Sequence, residues 1–323
     1  MAGKRRSEGG ADGTRSRSAA SSPRSFNAPA AAITTRRRRS SNPPPGKYKL
    51  LALDLDGTVL NHAGAANDAD VAAVKRLHER GIIVTILTGR LYAGTRDAAE
   101  LLGIVGPVGC ADGSHIVDVR NDRTLLHHGI RGETAATLRA SLVRHSLATF
   151  LFAEEAIVHD ERCADYLPYV RTWSTDLRFV RSVLDHALWT SQTGTTAVVA
   201  IGSEASIGAA LGELETSTNG ALQIATFPFR NNPKLWGMVT RASGGTKGTA
   251  LAWLSAHHGI DISETVCVGD WHNDLPMMSC AGRSFAMAQA PSEVKAAATD
   301  VLDRTIDAGG AIAEAIQRAF GSR

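Results

Sequence analysis

The sequence predicts an α/β protein, a doubly wound parallel sheet whose chain is interrupted by an inserted α+β domain. Three observations carry this reading. Two near-continuous apolar runs, LLALDLDGT (50–58) and IIVTILTGR (82–90), flank DADVAAVKRLHERG, whose apolar residues recur at helical spacing. The strand–helix–strand rhythm returns in LWGMVTRA, KGTALAWLSAHHG and TVCVGD. From about 120 to 232 helical stretches alternate with strand-like runs, an α+β pattern. The expected organisation is a tail over 1–46, a core over 47–119 and 233–323, and an inserted domain over 120–232.

Taken in order, residues 1–46 are rich in Arg, Ser, Pro, Ala and Gly, contain RRRR and PPP, and show no apolar period, which predicts a disordered extension. Glu8 and Asp12 argue against an organelle transit peptide. The first strand leads to a helix capped by Asn67 and stopped at Gly81, then to the second strand through a right-handed crossover. A helix is expected near 92–102, after which VGPVGCADGSHIVD marks the chain leaving the sheet. The insert holds the helices ETAATLRASLVRHS and SIGAALGELETS and the strand runs FLFAEEAIVH, TAVVAIG and LQIATFPF. SFAMAQ adds a short strand, and PSEVKAAA and GAIAEAIQRAF add helices.

Composition narrows the function classes. The net charge of +3 is uneven, because residues 1–49 carry 12 Lys/Arg against 2 acidic residues while the remainder is net negative. Positive charge therefore belongs to the tail, and a nucleic-acid role for the folded body loses its support; binding through the tail would be salt-sensitive. No apolar run approaches the roughly 18 residues that span a bilayer. Cys110, Cys163, Cys267 and Cys280 are far apart with no CxxC pair, which predicts free thiols in a reducing cytoplasm.

DLDGT sets Asp54 and Asp56 two residues apart at a strand end, so both side chains start on one face. Ligands of open α/β sheets bind beyond the carboxyl ends of the strands. Two like charges remain close only if a cation or a shared proton offsets the repulsion, and a hard divalent metal such as Mg²⁺ suits oxygen ligands. By itself the pair also fits an ordinary loop or helix cap. Downstream, TVCVGDWHNDLPMM repeats the arrangement with Asp270 at a strand end and Asn273 and Asp274 before a helix. LTGR offers the Thr88 hydroxyl at another strand end, and GGTKG offers the Lys247 ammonium at a helix start. Singly, Thr88 reads as a β-branched strand residue, Lys247 as a solvated lysine and Asn273 as a cap. Together they supply what phosphoryl transfer requires: carboxylates for a metal, and a hydroxyl, an ammonium and helix-terminal amides for anionic oxygens.

In this order and on these elements the motifs resemble the haloacid dehalogenase superfamily of phosphatases. The segment between LTGR and GGTKG, with SFAMAQAPSEVKAAATD, looks like the Cof-type branch (subfamily IIB), which has a Rossmann-like core and a type-two cap. The likeness runs from about Lys49 to the C-terminus. It implies Asp54 as the nucleophile and Asp56 as the acid that protonates the leaving oxygen and then activates water. It further implies Mg²⁺ held by the Asp54 carboxylate, the Asp56 main-chain carbonyl and Asp270, with Asp274 in support. Thr88 and Lys247 bind phosphoryl oxygens, and Asn273 orients Lys247 or the phosphate. Gly57 permits a tight turn, Thr58 braces the loop, and Gly89 and Arg90 complete LTGR, with Arg90 set either on substrate or against an acidic neighbour.

Two departures stand out. Trp271 and His272 replace the small residues usual after Gly-Asp, and Asp112 in ADGSH stands where the branch commonly has Asn. His272 is expected in solvent or behind the site, because hard Mg²⁺ prefers oxygen. The implied activity is hydrolysis of a small phosphorylated metabolite, a sugar phosphate or nucleotide-like phosphomonoester, beneath a cap that excludes bulk water. The alternatives are phosphotransfer to a sugar hydroxyl, as in phosphomannomutase relatives, and a non-catalytic phosphate-binding regulator. The second would be marked by loss of the nucleophile, the acid or the lysine, all of which are present.

Overall fold

The structure, a computed structural model, describes residues 46–171, 173–229 and 232–321. The expected tail lies outside them except for residue 46. The first unit is β1 (Leu50–Leu53), α1 (Asp68–Glu79) and β2 (Ile83–Ile86), with the two strands parallel. Asn67 caps α1 by accepting the Ala69 amide at 3.0 Å, and Gly81 follows at φ +74°. Then come α2 (Arg96–Leu102), β3 (Pro107–Cys110), β4 (His115–Asp118) and β5 (Arg123–His127).

The next stretch contains α3 (Gly132–Arg144), β6 (Ala148–Phe152), β7 (Ile157–His159), α4 (Leu167–Val170) and β8 (Leu177–Phe179). It continues with β9 (Ala197–Ser203), α5 (Glu204–Ser217), β10 (Leu222–Phe229) and β11 (Asn232–Ala242). The chain closes with α6 (Lys247–His257), β12 (Thr265–Gly269), α7 (Leu275–Cys280), β13 (Arg283–Ala286), α8 (Ser292–Ala297), β14 (Asp300–Val301) and α9 (Ala311–Phe320).

Three sheets result, ordered β14-β13-β12-β1-β2, β10-β11-β9-β6-β7-β8 and β3-β4-β5. The first is parallel throughout, and a parallel bridge from Leu87 to Gly109 joins it to the third. It is covered on both faces. Leu51 and Leu53 pack with Val74 and Leu77 of α1 and Ile312 and Ile316 of α9, while Leu50 and Ala52 pack with Leu251 and Leu254 of α6 and Met277 of α7. Burial on both sides is why these strands read as unbroken apolar runs, and each fully buried Leu contributes roughly 1.5–3 kcal/mol. The same alternation carries Asp54, two residues beyond Ala52, toward the α6 side.

The six-stranded sheet has α3 and α5 against one face, through Leu138, Leu142, Ile207 and Leu214. Its other face, with Phe150, Phe152 and Val199, packs with Leu91 and Ala111 from the loops beyond β2 and β3. The α/β core with an inserted α+β unit is therefore present, but two boundaries differ from the sequence reading. LWGMVTRA, expected in the core after residue 232, is β11 and pairs antiparallel with β10 and β9, so the chain returns to the parallel layer only after Ala242. Met238 and Val239 of β11 fill the cores on opposite faces, which gives the strand the same two-sided apolar run as a parallel strand. The expected break at 119/120 falls inside the antiparallel β3-β4-β5 sheet. FLFAEEAIVH, expected as one strand run, folds into β6 and β7 as an antiparallel pair.

No helix among the described residues is long and apolar enough to cross a membrane. All four cysteines are free, and burial pushes the Cys110 thiol up to about 12 and the Cys163 thiol up to about 11.

Facing each other across β4 and β5, His115 and His127 have ring centroids 5.4 Å apart, and each Nδ1 is buried without a hydrogen-bond partner among the described residues. Burial, then the His127 charge, lowers the His115 pKa to about 4. The folded state thus binds its proton later than the unfolded chain, whose imidazole titrates near ~6.5, so stability present above that pH is lost as the pH falls toward about 4. Urea unfolding at pH 5 is expected to show ~2 kcal/mol less stability from this group than at pH 7.5. His115→Gln is expected to flatten that slope; an unchanged slope would contradict the assignment.

Candidate active site

Four chain segments meet at the carboxyl edge of the parallel sheet. Asp54 follows β1, and its amide donates to the Val268 carbonyl of β12 at 3.1 Å, which locks two strand ends side by side. Asp270 and Asp274 follow β12, and Lys247 is the first residue of α6, whose cap Thr246 accepts the Thr249 amide at 3.1 Å. Lys247 is fully buried and donates to Asp54 Oδ1 and to Asp274 Oδ1, each at 2.6 Å. The second Asp274 oxygen accepts the Asp270 and Trp271 amides at 2.8 and 3.0 Å, which fixes the turn that presents Asp270.

Electrostatics follow from this packing. Burial alone would drive the Lys247 ammonium toward neutrality, but Asp274, Asp54 and Asp112 outweigh it and raise its pKa, so the cation is held. Burial, with Asp274 and Asp270 close by, pushes the Asp54 carboxyl up, and Lys247 opposes the shift. Asp270 is pushed up to about 6 by burial and then by Asp274.

Asp54, Asp270 and Asp274 place carboxylate oxygens within 4.8 Å of one another. Asp270 Oδ1 is buried with no hydrogen-bond partner among the described residues. Three carboxylates against one ammonium, an all-oxygen donor set and an orphaned buried oxygen fit a hard divalent cation. Asp274 is fully buried with both oxygens already engaged, so it supports this cluster from behind.

Gly57 makes the approach possible. Its φ is +82°, and a Cβ there would lie 2.2 Å from Asp270 Oδ2. Its carbonyl accepts the Gln289 side-chain amide at 2.6 Å. Thr58 is fully buried, its amide donates to Leu55, and its hydroxyl has no partner among the described residues. Asp56 stands at the exposed rim, gripped by Arg90 through Nε to Oδ2 at 2.8 Å and Nη2 to Oδ1 at 2.5 Å. Of the two settings expected for Arg90, the structure has the acidic neighbour. Thr88 is fully buried, and its hydroxyl accepts the Arg90 amide at 3.2 Å.

Asn273 is expected to orient Lys247 or the phosphate, and the structure gives its side-chain amide a further partner within the protein. It donates to Asp112 Oδ1 at 2.8 Å, and Lys247 is oriented by the two carboxylates. Asp112, flagged in the sequence only as a departure, lies against Gly89, whose Cβ would be 3.3 Å from Asp112 Oδ1. Although burial raises its pKa, Arg241, Lys247 and Asn273 together hold the carboxyl below the usual range. Arg241 and Gln289 were not found from sequence, because an arginine in a strand run and a glutamine in a loop carry no pattern that marks a site. Trp271 is half exposed, and His272 lies at the surface 4.0 Å from Glu293, away from the carboxylate cluster's ligand set.

Known proteins share this fold and family. The haloacid dehalogenase-like hydrolase family profile matches residues 51–316. The chain is 26% identical over 271 residues to pyridoxal phosphate phosphatase YbhA of Escherichia coli, covering 80% of this chain and 95% of that protein. It is 26% identical over 279 residues to 5-amino-6-(5-phospho-D-ribitylamino)uracil phosphatase YcsE of Bacillus subtilis, covering 83% and 94%. A crystal structure of a haloacid dehalogenase-like hydrolase from Bacteroides thetaiotaomicron superposes with a TM-score of 0.70 at 23% identity, covering 84% of this chain and 99% of that one, which establishes the shared fold. The chain belongs to the haloacid dehalogenase-like hydrolase family.

Two outcomes test the site. Gly57→Ala is expected to weaken divalent-metal binding at least about tenfold by calorimetry, because a Cβ displaces Asp270. Lys247→Met, which leaves buried carboxylates uncompensated, is expected to lower stability by about 3 kcal/mol in metal-free urea unfolding.

Proposed function

We propose that this hydrolase cleaves a phosphomonoester of a small metabolite, a sugar phosphate or nucleotide-like ester, through an aspartyl-phosphate on Asp54. The observation that carries this reading is the buried Lys247 shared by Asp54 and Asp274 beside the unpartnered Asp270 oxygen. Two relatives named for phosphate esters of small metabolites support the substrate class. Asp54, Asp270 and the Asp56 main-chain carbonyl, with Asp274 behind them, would hold Mg²⁺, which would supply charge neutralisation for the phosphoryl group.

The chain's own groups supply the rest. Lys247 holds Asp54 Oδ1, which leaves the second oxygen to attack phosphorus as the bond to the leaving oxygen breaks. Asp56, two residues on and exposed at the rim, leaves its pair with Arg90, takes up a proton from solvent and gives that proton to the leaving oxygen. It then takes a proton from water, whose oxygen attacks phosphorus, breaks the bond to Asp54 and releases inorganic phosphate. Thr88 and Lys247 bind phosphoryl oxygens, with Asn273 on the same side. The six-stranded sheet, packed over Leu91 and Ala111, serves as a cap that sets specificity and limits water. The cytoplasm, a reducing compartment, suits the four free thiols.

Screening the purified protein against phosphorylated metabolites with Mg²⁺ is expected to give phosphate release on at least one ester. Asp54→Asn is expected to reduce turnover by more than about a thousandfold with unchanged circular dichroism, and EDTA is expected to act likewise and reversibly. Phosphate moved to an added sugar instead of water would replace hydrolysis by transfer; near-normal activity of Asp54→Asn would remove the mechanism.

A further inference from the structure

The turn at Ala111–Gly113 contains two consecutive non-glycine residues in the left-handed region, Ala111 at φ +48° and Asp112 at φ +55°. It is held on every side. The Ala111 amide donates to the Arg90 carbonyl at 2.7 Å and the Asp112 amide to the Thr88 carbonyl at 2.8 Å. A Cβ on Gly113 would lie 2.3 Å from the Thr246 carbonyl, at the start of α6 just before Lys247. The turn that carries Asp112 is thus wedged between the LTGR strand end and the helix that carries the site lysine. One of its oxygens accepts from Asn273 at 2.8 Å, and the other pairs with Arg241 Nη2 at 2.9 Å. Both members of that pair are mostly buried, at 18% and 14% side-chain exposure. Arg241 belongs to β11, in register with Gln223 of β10, so the six-stranded sheet itself delivers this cation.

We propose that Arg241 is a positioning residue for the phosphate end of the site, acting through Asp112 to keep Lys247 on Asp54 and Asp274. The inference rests on the phosphatase reading above. Asp112 is a mostly buried anion on a turn whose Gly113 abuts Thr246, the residue before Lys247, and an unpaired buried charge draws in the nearest counter-ion. With Arg241 in place, Asp112 has its own cation, and the lysine keeps both carboxylate contacts. Without Arg241, Asp112 competes for Lys247 and loosens both the Asp54 oxygen and the Asn273 amide. A neutral amide at position 112 removes that competition and can still accept from Asn273.

The test is a double-mutant cycle of Arg241→Gln, Asp112→Asn and their combination on the full chain with Mg²⁺, using orthovanadate as the probe and reading its Kd by calorimetry beside the melting temperature. Arg241→Gln is expected to weaken vanadate binding at least about tenfold, and Arg241→Lys, which keeps the charge, by under about threefold. Adding Asp112→Asn to Arg241→Gln is expected to bring binding back to within about threefold of the parent, a rescue that lost packing would not produce. Arg241→Gln binding within twofold of the parent overturns the proposal. So does a double variant that fails to fold, or that folds and binds as weakly as Arg241→Gln, because the pair then serves the fold. Absence of vanadate binding by the parent protein points instead to failure of the phosphatase reading.

Discussion

A fully buried ammonium, Lys247, sits 2.6 Å from both Asp54 and Asp274. Such a group is stable only where the attraction of anions exceeds the desolvation penalty, which runs to several kcal/mol per ion. Much of the surrounding structure can be read as meeting that condition. The Asp54 amide clips β1 to β12, Thr246 caps the helix that begins with the lysine, and the Asp270 and Trp271 amides hold Asp274 in place. The remaining negative charge is what makes the edge of the sheet receptive to a divalent cation.

A second layer of charge surrounds the first and is organised differently. Asp56 and Arg90 form a two-point pair at the exposed rim, while Asp112 and Arg241 form a buried pair behind the lysine. Each carboxylate of this cluster thus has a cation or backbone donors, apart from Asp270, whose Oδ1 has no hydrogen-bond partner among the described residues. The six-stranded sheet takes part in this arrangement through Arg241, and through the apolar face that packs on Leu91 and Ala111, so it brings charge as well as apolar packing to this edge of the core.

Much of this was legible in the chain. Apolar runs ending in Asp, Thr-Gly-Arg and Gly-Asp located three strand ends, because strands buried on both faces need apolar residues throughout and the residues just beyond them face the ligand edge. The helix start at Lys247 was legible because the glycines of GGTKG give way to the helical stretch KGTALAWLSAHHG, while its cap Thr246 was seen only in the structure. The failures have physical causes too. β11 was placed in the core because an antiparallel strand covered on both faces shows the same pattern as a parallel one. The hydrogen bond from Asn273 to Asp112 was not legible either, because 161 positions separate the two residues in the chain.

By itself the sequence determined the class of fold, the strands and helices of the parallel core that bear the motifs, and the residue types that phosphoryl chemistry needs, since these follow from local periodicity and from what oxygen, nitrogen and charge can do. Tertiary structure alone decided the pairing: which carboxylate takes the lysine, that Arg90 faces Asp56, and that Arg241, 129 positions from Asp112 in the chain, becomes its counter-ion. Ion pairing depends on distance and burial in three dimensions, and neither is encoded in the spacing of residues along the chain.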